Sequence, residues 1–98
     1  MRSRITTDLR DDNARPYFLW DEVGTVGDLR ARLASTLGEE RNALIGKLMR
    51  EARDTDVWLF VTPQEVWNVF PKIVRYLGRQ RPFWKYLFES WARDGFVK

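Results

Sequence analysis

The sequence contains neither cysteine nor histidine. The chain therefore has no thiolate nucleophile, no imidazole base and none of the usual zinc ligands, and it cannot form a Ser-His-Asp triad. The obvious carboxylate candidates, Asp8, Asp11 and Asp12, lie in a polar stretch with no strand or glycine loop to hold a metal. We therefore predict a protein that is not an enzyme and that uses neither a metal nor a cofactor.

Long apolar runs and phosphate loops are missing too. The longest apolar run, Val57 to Val61, is far shorter than the roughly 18 residues of a transmembrane helix. The segment Gly24-Thr25-Val26-Gly27 lacks the lysine and the preceding strand of a P-loop. The N-terminus does not continue into an apolar signal sequence. With no cysteine for disulfides, these absences predict a soluble cytoplasmic protein that makes no use of a membrane.

Aromatic residues, in contrast, are abundant: five tryptophans, six phenylalanines and three tyrosines in 98 residues. Near the C-terminus they recur at helical spacing behind Pro82, which suits the first turn of a helix, and before Gly95, which suits its end. This spacing predicts a last helix with one apolar stripe. The stripe contains Phe83, Trp84, Leu87, Phe88, Trp91 and Ala92.

Three further segments carry helix signals. Thr25 and Asp28 have the spacing of an N-terminal cap, followed by Val26, Leu29, Leu33 and Leu37 at helical intervals up to a stop at Gly38. A second helix should begin near Glu39 or Glu40. It should bury Leu44, Ile45, Leu48, Met49 and Ala52. Gly46 inside it costs about 1 kcal/mol, which is tolerable where another element approaches closely.

The segment Thr62-Pro63-Gln64-Glu65 is a full capping box and starts a third helix. Its apolar face should end at Gly78, but Pro71 should kink or split the helix near Phe70. Between the second and third helices, Val57 to Val61 is too short to distinguish a buried strand from a helical turn. We interpret it as a buried connector or short helix.

The N-terminal part has a different character. Residues 1–14 lack a sustained apolar period and should form a flexible segment, so that the domain spans residues 15–98. Residues 15–21 place four large apolar side chains after Pro16 and should form an extended anchor over the helices. The predicted fold is a compact all-α domain of four or five short helices with this extended aromatic N-terminal anchor.

Surplus aromatics favour a protein-interaction module, because tryptophan and tyrosine are enriched at interface hot spots. Phe70, Phe83, Trp84 and Phe88 share stripes with aliphatic residues and are best explained as core. Five other aromatics, which flank a core stripe or lie near the chain ends, are the candidate interface. They are Tyr17, Trp20, Trp67, Tyr86 and Trp91. A second copy of the chain could equally cover such a surface, so a homodimer is also open.

The charge distribution suggests an alternative. Residues 71–98 carry a net charge of +5 and residues 1–70 carry −2. Four cations, Arg75, Arg79, Arg81 and Lys85, lie close together in sequence and could contact phosphates, as in a DNA-binding regulator. The last helix would nevertheless read DNA poorly, because its polar face has Glu89 between its cations. Interaction with a protein remains the favoured reading.

Aromatic and basic residues recur together in several segments of the chain. These are Arg15-Pro16-Tyr17-Phe18-Leu19-Trp20-Asp21, Leu48-Met49-Arg50-Glu51-Ala52-Arg53, Asp56-Val57-Trp58, and Tyr76-Leu77-Gly78-Arg79 with Phe83-Trp84 and Trp91. In this pattern, over roughly residues 15 to 95, the chain resembles a group of small bacterial proteins of unknown function encoded beside nucleotidyltransferase-type toxin genes. The resemblance implies an antitoxin-like or accessory role with such a toxin as partner, and it brings no catalytic residues.

Overall fold

The computed structural model describes residues 5–6, 12–13, 15–17 and 24–98. The described residues form five α-helices: α1 (Val26–Ser35), α2 (Gly38–Glu51), α3 (Asp54–Val57), α4 (Pro63–Ile73) and α5 (Arg81–Arg93). Two 3-10 turns, Val74–Tyr76 and Gly78–Gln80, connect α4 to α5. The prediction of an all-α domain is therefore confirmed.

The described N-terminal residues pair with one another and contact the start of α1. Strand β1 (Ile5–Thr6) pairs in parallel with β2 (Arg15–Pro16), so the first residues of the predicted anchor have a short partner strand. The Asp12 carbonyl accepts a hydrogen bond of 2.9 Å from the Gly27 amide at the start of α1. The rest of the predicted flexible segment and residues 18–21 of the predicted anchor lie outside the described residues.

Helix α1 begins as predicted and ends earlier. The Thr25 side chain accepts from the Asp28 amide and the Asp28 carboxylate accepts from the Thr25 amide, which completes a capping box. Leu37, predicted to lie on the buried face of α1, is instead 82% exposed. The reason is that the backbone becomes extended at Thr36, so the helical period stops before Leu37. Gly38 then opens α2 with a φ of +62° rather than closing α1.

Helix α2 is central to the core. It buries Leu44, Ile45, Leu48 and Met49, and Ala52 is buried directly after its end, as the periodicity predicted. Gly46 permits a close approach, because an added Cβ would lie only 2.4 Å from Tyr76 Cβ. The approaching element is the 3-10 turn after α4. A glycine that is unfavourable for the helix therefore lets the chain between α4 and α5 pack on α2.

The run Val57 to Val61 after α2 is not a strand: its first residue ends α3, and residues 58–60 form a turn. Helix α3 ends at Val57, and the following turn keeps Val57 and Val61 buried while Trp58 is half-buried. Trp58 places its ring edge-on to Trp84, with ring centroids 5.7 Å apart. The run is therefore a turn that anchors its two ends in the core, with Leu59 between them 44% exposed, so it is a connector that is only partly buried.

Helix α4 has the predicted capping box, with the Thr62 side chain accepting from the Glu65 amide and the Glu65 carboxylate accepting from the Thr62 amide. The α-helix continues through Pro71 as far as Ile73 and then tightens into the first 3-10 turn. The 3-10 geometry thus begins at Val74, four residues after Phe70. Gly78, with a φ of +54°, begins the second 3-10 turn instead of ending a helix.

Helix α5 buries Trp84 and Phe88, while Leu87, Trp91 and Ala92 are half-buried. Phe83, predicted as core, is 42% exposed. Neighbouring residues of a helix are separated by about 100°, so Phe83 is turned from Trp84 toward solvent, and the buried stripe is narrower than predicted. No helix in the described part of the chain is both long and apolar enough to cross a membrane.

Candidate functional site

The candidate site is a groove between α4 and α5, which we call the α4–α5 groove. It encloses about 330 Å³. Its apolar lining comes from the end of α4 and the 3-10 turn that follows, and its polar lining comes from one side of α5. The lining residues are Trp67, Phe70, Val74, Arg81, Lys85 and Glu89.

The apolar lining is held in place by the core. Trp67 stacks on Phe88, with ring centroids 5.8 Å apart and an interplanar angle of 6°. The Phe70 ring lies 5.1 Å from the same Phe88 ring. Phe88 is fully buried, whereas Trp67 and Val74 keep part of their surface toward solvent. The core therefore fixes the position of a partly exposed apolar surface, which reduces the entropy lost when a partner binds.

The polar side of the groove is a row of charges along α5. Arg81, Lys85 and Glu89 are four residues apart, so they follow one another along one side of the helix. All three are exposed. Within residues 24–98 neither Arg81 nor Lys85 has an acidic group within ion-pair distance. Two cations are therefore available to an acidic group that enters the groove, with one acid at the far end of the row.

The residues predicted for protein binding are distributed over several places. Trp67 lines the α4–α5 groove. Tyr86, on α5, is 70% exposed, and Trp20 lies outside the described residues. Trp91 is half-buried and contacts Phe88 and Phe96, with ring centroids 5.2 and 5.0 Å away.

Tyr17 is bound to the chain itself. Its hydroxyl donates to an Asp56 carboxylate oxygen and accepts from the Arg53 amide at 2.8 Å. The Arg53 guanidinium also lies over the Tyr17 ring, 5.4 Å from its centroid. Burial and the hydrogen bond to the Asp56 carboxylate raise the pKa of the Tyr17 hydroxyl. These contacts give Tyr17 a role in joining the N-terminal segment to α3.

The four residues of the predicted basic cluster also lie in different surroundings. Arg81 and Lys85 line the groove, and Arg79 is exposed in the second 3-10 turn. Arg75 is instead engaged within the molecule, because it donates to the Glu39 carboxylate and the Tyr76 hydroxyl. The hydrogen bonds from Tyr76 and Arg75 lower the pKa of Glu39.

Sequence reasoning missed Phe70, Val74 and Glu89 as groove residues. In the sequence Phe70 and Val74 belong to an apolar stripe at helical spacing, which is typical of core residues. In the structure this stripe extends past the end of α4, and these two residues of it line the groove. Among the described residues, no three acidic side chains form a cluster that could hold a metal ion. Comparisons with protein-family models, curated proteins and solved structures find no match to this chain.

Proposed function

We propose that the protein is a non-enzymatic interaction module, antitoxin-like or accessory to a larger bacterial protein, and that its α4–α5 groove binds an acidic amphipathic helix of that partner. The observation that carries the proposal is the combination of a preformed apolar lining with two available cations on one side. In helix-in-groove recognition an amphipathic helix lays its apolar face into an apolar groove, and complementary charges beside the groove fix its register.

The apolar lining would supply most of the affinity. A partner side chain that enters the groove covers the exposed parts of Trp67 and Val74, and burial of apolar surface is worth about 25 cal/mol per Å². Tryptophans fixed at the centre of an interface commonly cost about 2 kcal/mol or more when truncated. Trp67 is the groove's candidate for this role because its stacking on Phe88 holds the ring still.

The charged side would supply direction. The order Arg81, Lys85, Glu89 along α5 favours a partner helix that presents acids opposite the first two and a base opposite the third. Reversing that helix would bring its acids toward Glu89, and like charges in contact are unfavourable. The partner should therefore bind in one orientation, and its binding should weaken as salt is added.

DNA binding is the second candidate function. It is favoured by Arg79, Arg81 and Lys85, which make no ion pair within residues 24–98. Against it stand Glu89 in the same row and the apolar lining beside it, because phosphates offer nothing to cover an exposed tryptophan. The test below gives the two candidates different outcomes.

A photo-crosslinking amino acid placed at Glu89 tests the proposal in the native host. We expect a cross-link to one protein, mapped by mass spectrometry to a segment with acidic and apolar residues at helical spacing. The same amino acid at Arg32, exposed on α1, is the matched control and should not cross-link that segment. If the resemblance to antitoxin-like proteins reflects function, the segment should belong to the product of the adjacent gene.

Two results would oppose the proposal. Equal cross-linking from Glu89 and Arg32 would mean that the contact is unspecific. Recovery of the chain with bound nucleic acid that Lys85→Glu and Arg79→Ala release, together with no protein cross-link, would establish the DNA-binding alternative.

A further inference from the structure

A second cavity, which shares no lining residue with the α4–α5 groove, lies where α2 begins and α4 ends. It encloses about 370 Å³. The first turns of α2 form one wall, and the end of α4 with the adjoining 3-10 turn forms the other. The lining residues are Gly38, Glu39, Asn42, Pro71, Lys72 and Arg75.

Asn42 is the unusual residue of this cavity. It lines the cavity although only 6% of its surface is exposed, and it is the one polar residue among the buried side chains of the described chain. Within residues 24–98 its side-chain amide has no hydrogen-bond partner. Buried amides are nearly always paired, and an unpaired one calls for an explanation such as a bound ligand.

The start of α2 provides a second indication. Helices α1 and α4 each have a threonine as N-cap, Thr25 and Thr62, whose side chain accepts a hydrogen bond from a backbone N–H of the first turn. Helix α2 begins after Leu37, and no side chain caps it. Its first amides therefore remain available at the positive end of a 14-residue helix dipole. An oxyanion is the usual ligand of such an end.

The charges around the cavity agree with this chemistry. Arg75 and the Tyr76 hydroxyl both donate to one oxygen, Oε1, of the Glu39 carboxylate, so Arg75 is already paired with the acid of the lining. Lys72 has no ion-pair partner within residues 24–98. The lining therefore carries two cations and one acid, and Lys72 is the cation left available to a ligand.

We propose that this cavity binds a phosphate monoester group, held by the first amides of α2, the Lys72 ammonium and the Asn42 side-chain amide. The group could belong to a small phosphorylated molecule or to a phosphorylated side chain of a partner protein. A phosphate oxygen accepts from all three donor types, and it gives the buried amide of Asn42 the partner that the chain does not supply. The site does not depend on the proposed function of the α4–α5 groove.

The test is a titration of the full chain with inorganic phosphate, followed by backbone amide shifts in NMR spectra at constant ionic strength. We expect saturable shifts at Gly38, Glu39 and Glu40. Lys72→Ala and Asn42→Leu should each weaken binding about tenfold or more, since each removes a donor to the anion. Lys98→Ala, an exposed cation elsewhere, is the control and should leave binding unchanged.

The stability of Asn42→Leu and the phosphate affinity of one further variant separate binding from folding. Asn42→Leu should melt at the same temperature as the wild type or higher, because it removes an unpaired buried polar group. Glu39→Gln should bind phosphate more tightly, because it removes the negative charge nearest the site. A purely structural role for these residues predicts neither result.

Tighter binding of a phosphoserine peptide than of inorganic phosphate would assign the group to a partner protein. Tighter binding of a nucleoside monophosphate would assign it to a small molecule. The proposal is overturned if acetate at the same ionic strength produces the same shifts, or if Lys72→Ala and Asn42→Leu bind phosphate as the wild type does.

Discussion

The indole of Trp84 donates its Nε1–H to the backbone carbonyl of Met49 across 2.9 Å. Met49 lies in the last turn of α2, where the carbonyls have no amide of the same helix to accept from. If the helix continued, the Met49 carbonyl would accept from the Arg53 amide, four residues later. That amide instead donates to the Tyr17 hydroxyl. Two aromatic side chains, one from each end of the chain, thus satisfy the backbone where α2 ends.

Replacing Trp84 by phenylalanine should destabilise the protein by about 2 to 4 kcal/mol. The substitution leaves the Met49 carbonyl without its donor and opens space in the core. Urea unfolding followed by far-UV circular dichroism measures the effect. Trp91→Phe is the matched control, because Trp91 is only half-buried, and it should cost less. Equal losses would mean that the hydrogen bond to Met49 contributes little.

Gly46→Ala should destabilise the protein by about 1 to 3 kcal/mol, although alanine is the better residue in an isolated helix by about 1 kcal/mol. The new Cβ would meet Tyr76 Cβ at 2.4 Å, so the turn after α4 must move away. In a Tyr76→Gly background this clash is gone. There the same change should stabilise the protein, and a loss of similar size in both backgrounds would contradict the contact.

Tyr17 should make stability depend on alkaline pH. Its folded pKa is raised above 10.0 by burial and by the hydrogen bond to Asp56, so the folded chain holds this proton more firmly than the unfolded chain. The contribution of this shift to the free energy of unfolding is fully present at pH values below the pKa of the unfolded state. It is lost as the pH rises through the pKa of the folded state. Urea midpoints measured between about pH 8 and pH 11 should fall more steeply for the wild type than for Tyr17→Phe. Parallel curves would rule out this contribution.

Sequence patterns predicted the features that depend on neighbours in the chain. The capping boxes at Thr25 and Thr62 need only residues three positions apart, so they were found directly. Periodicity failed at Leu37 and Phe83, because it continued a stripe beyond the point where the helix ends or the core stops. Where a stripe ends depends on packing partners that are distant in sequence.

The candidate site, too, was predicted only in part, because it depends on contacts between residues that are distant in sequence. Trp67 was predicted as an interface residue and Lys85 as a phosphate contact, yet both line one groove. Their meeting depends on the two 3-10 turns that connect α4 to α5, where the pattern predicted a helical face up to Gly78 that Pro71 kinks or splits near Phe70. The cavity beside Asn42 had no sequence signal, since a lone asparagine in an amphipathic helix is ordinary.

The central claim is that the α4–α5 groove binds an acidic amphipathic helix, and the affinity of a peptide made from the cross-linked segment tests it most directly. Lys85→Glu should raise Kd at least about tenfold, since close charge pairs at interfaces couple by about 1.5 kcal/mol or more, and Trp67→Ala should raise Kd similarly. Arg32→Glu changes the net charge equally on α1 and should leave Kd unchanged. A peptide whose acid opposite Lys85 is replaced by lysine should recover affinity for Lys85→Glu. Equal Kd values for Lys85→Glu, Trp67→Ala and Arg32→Glu would contradict the claim.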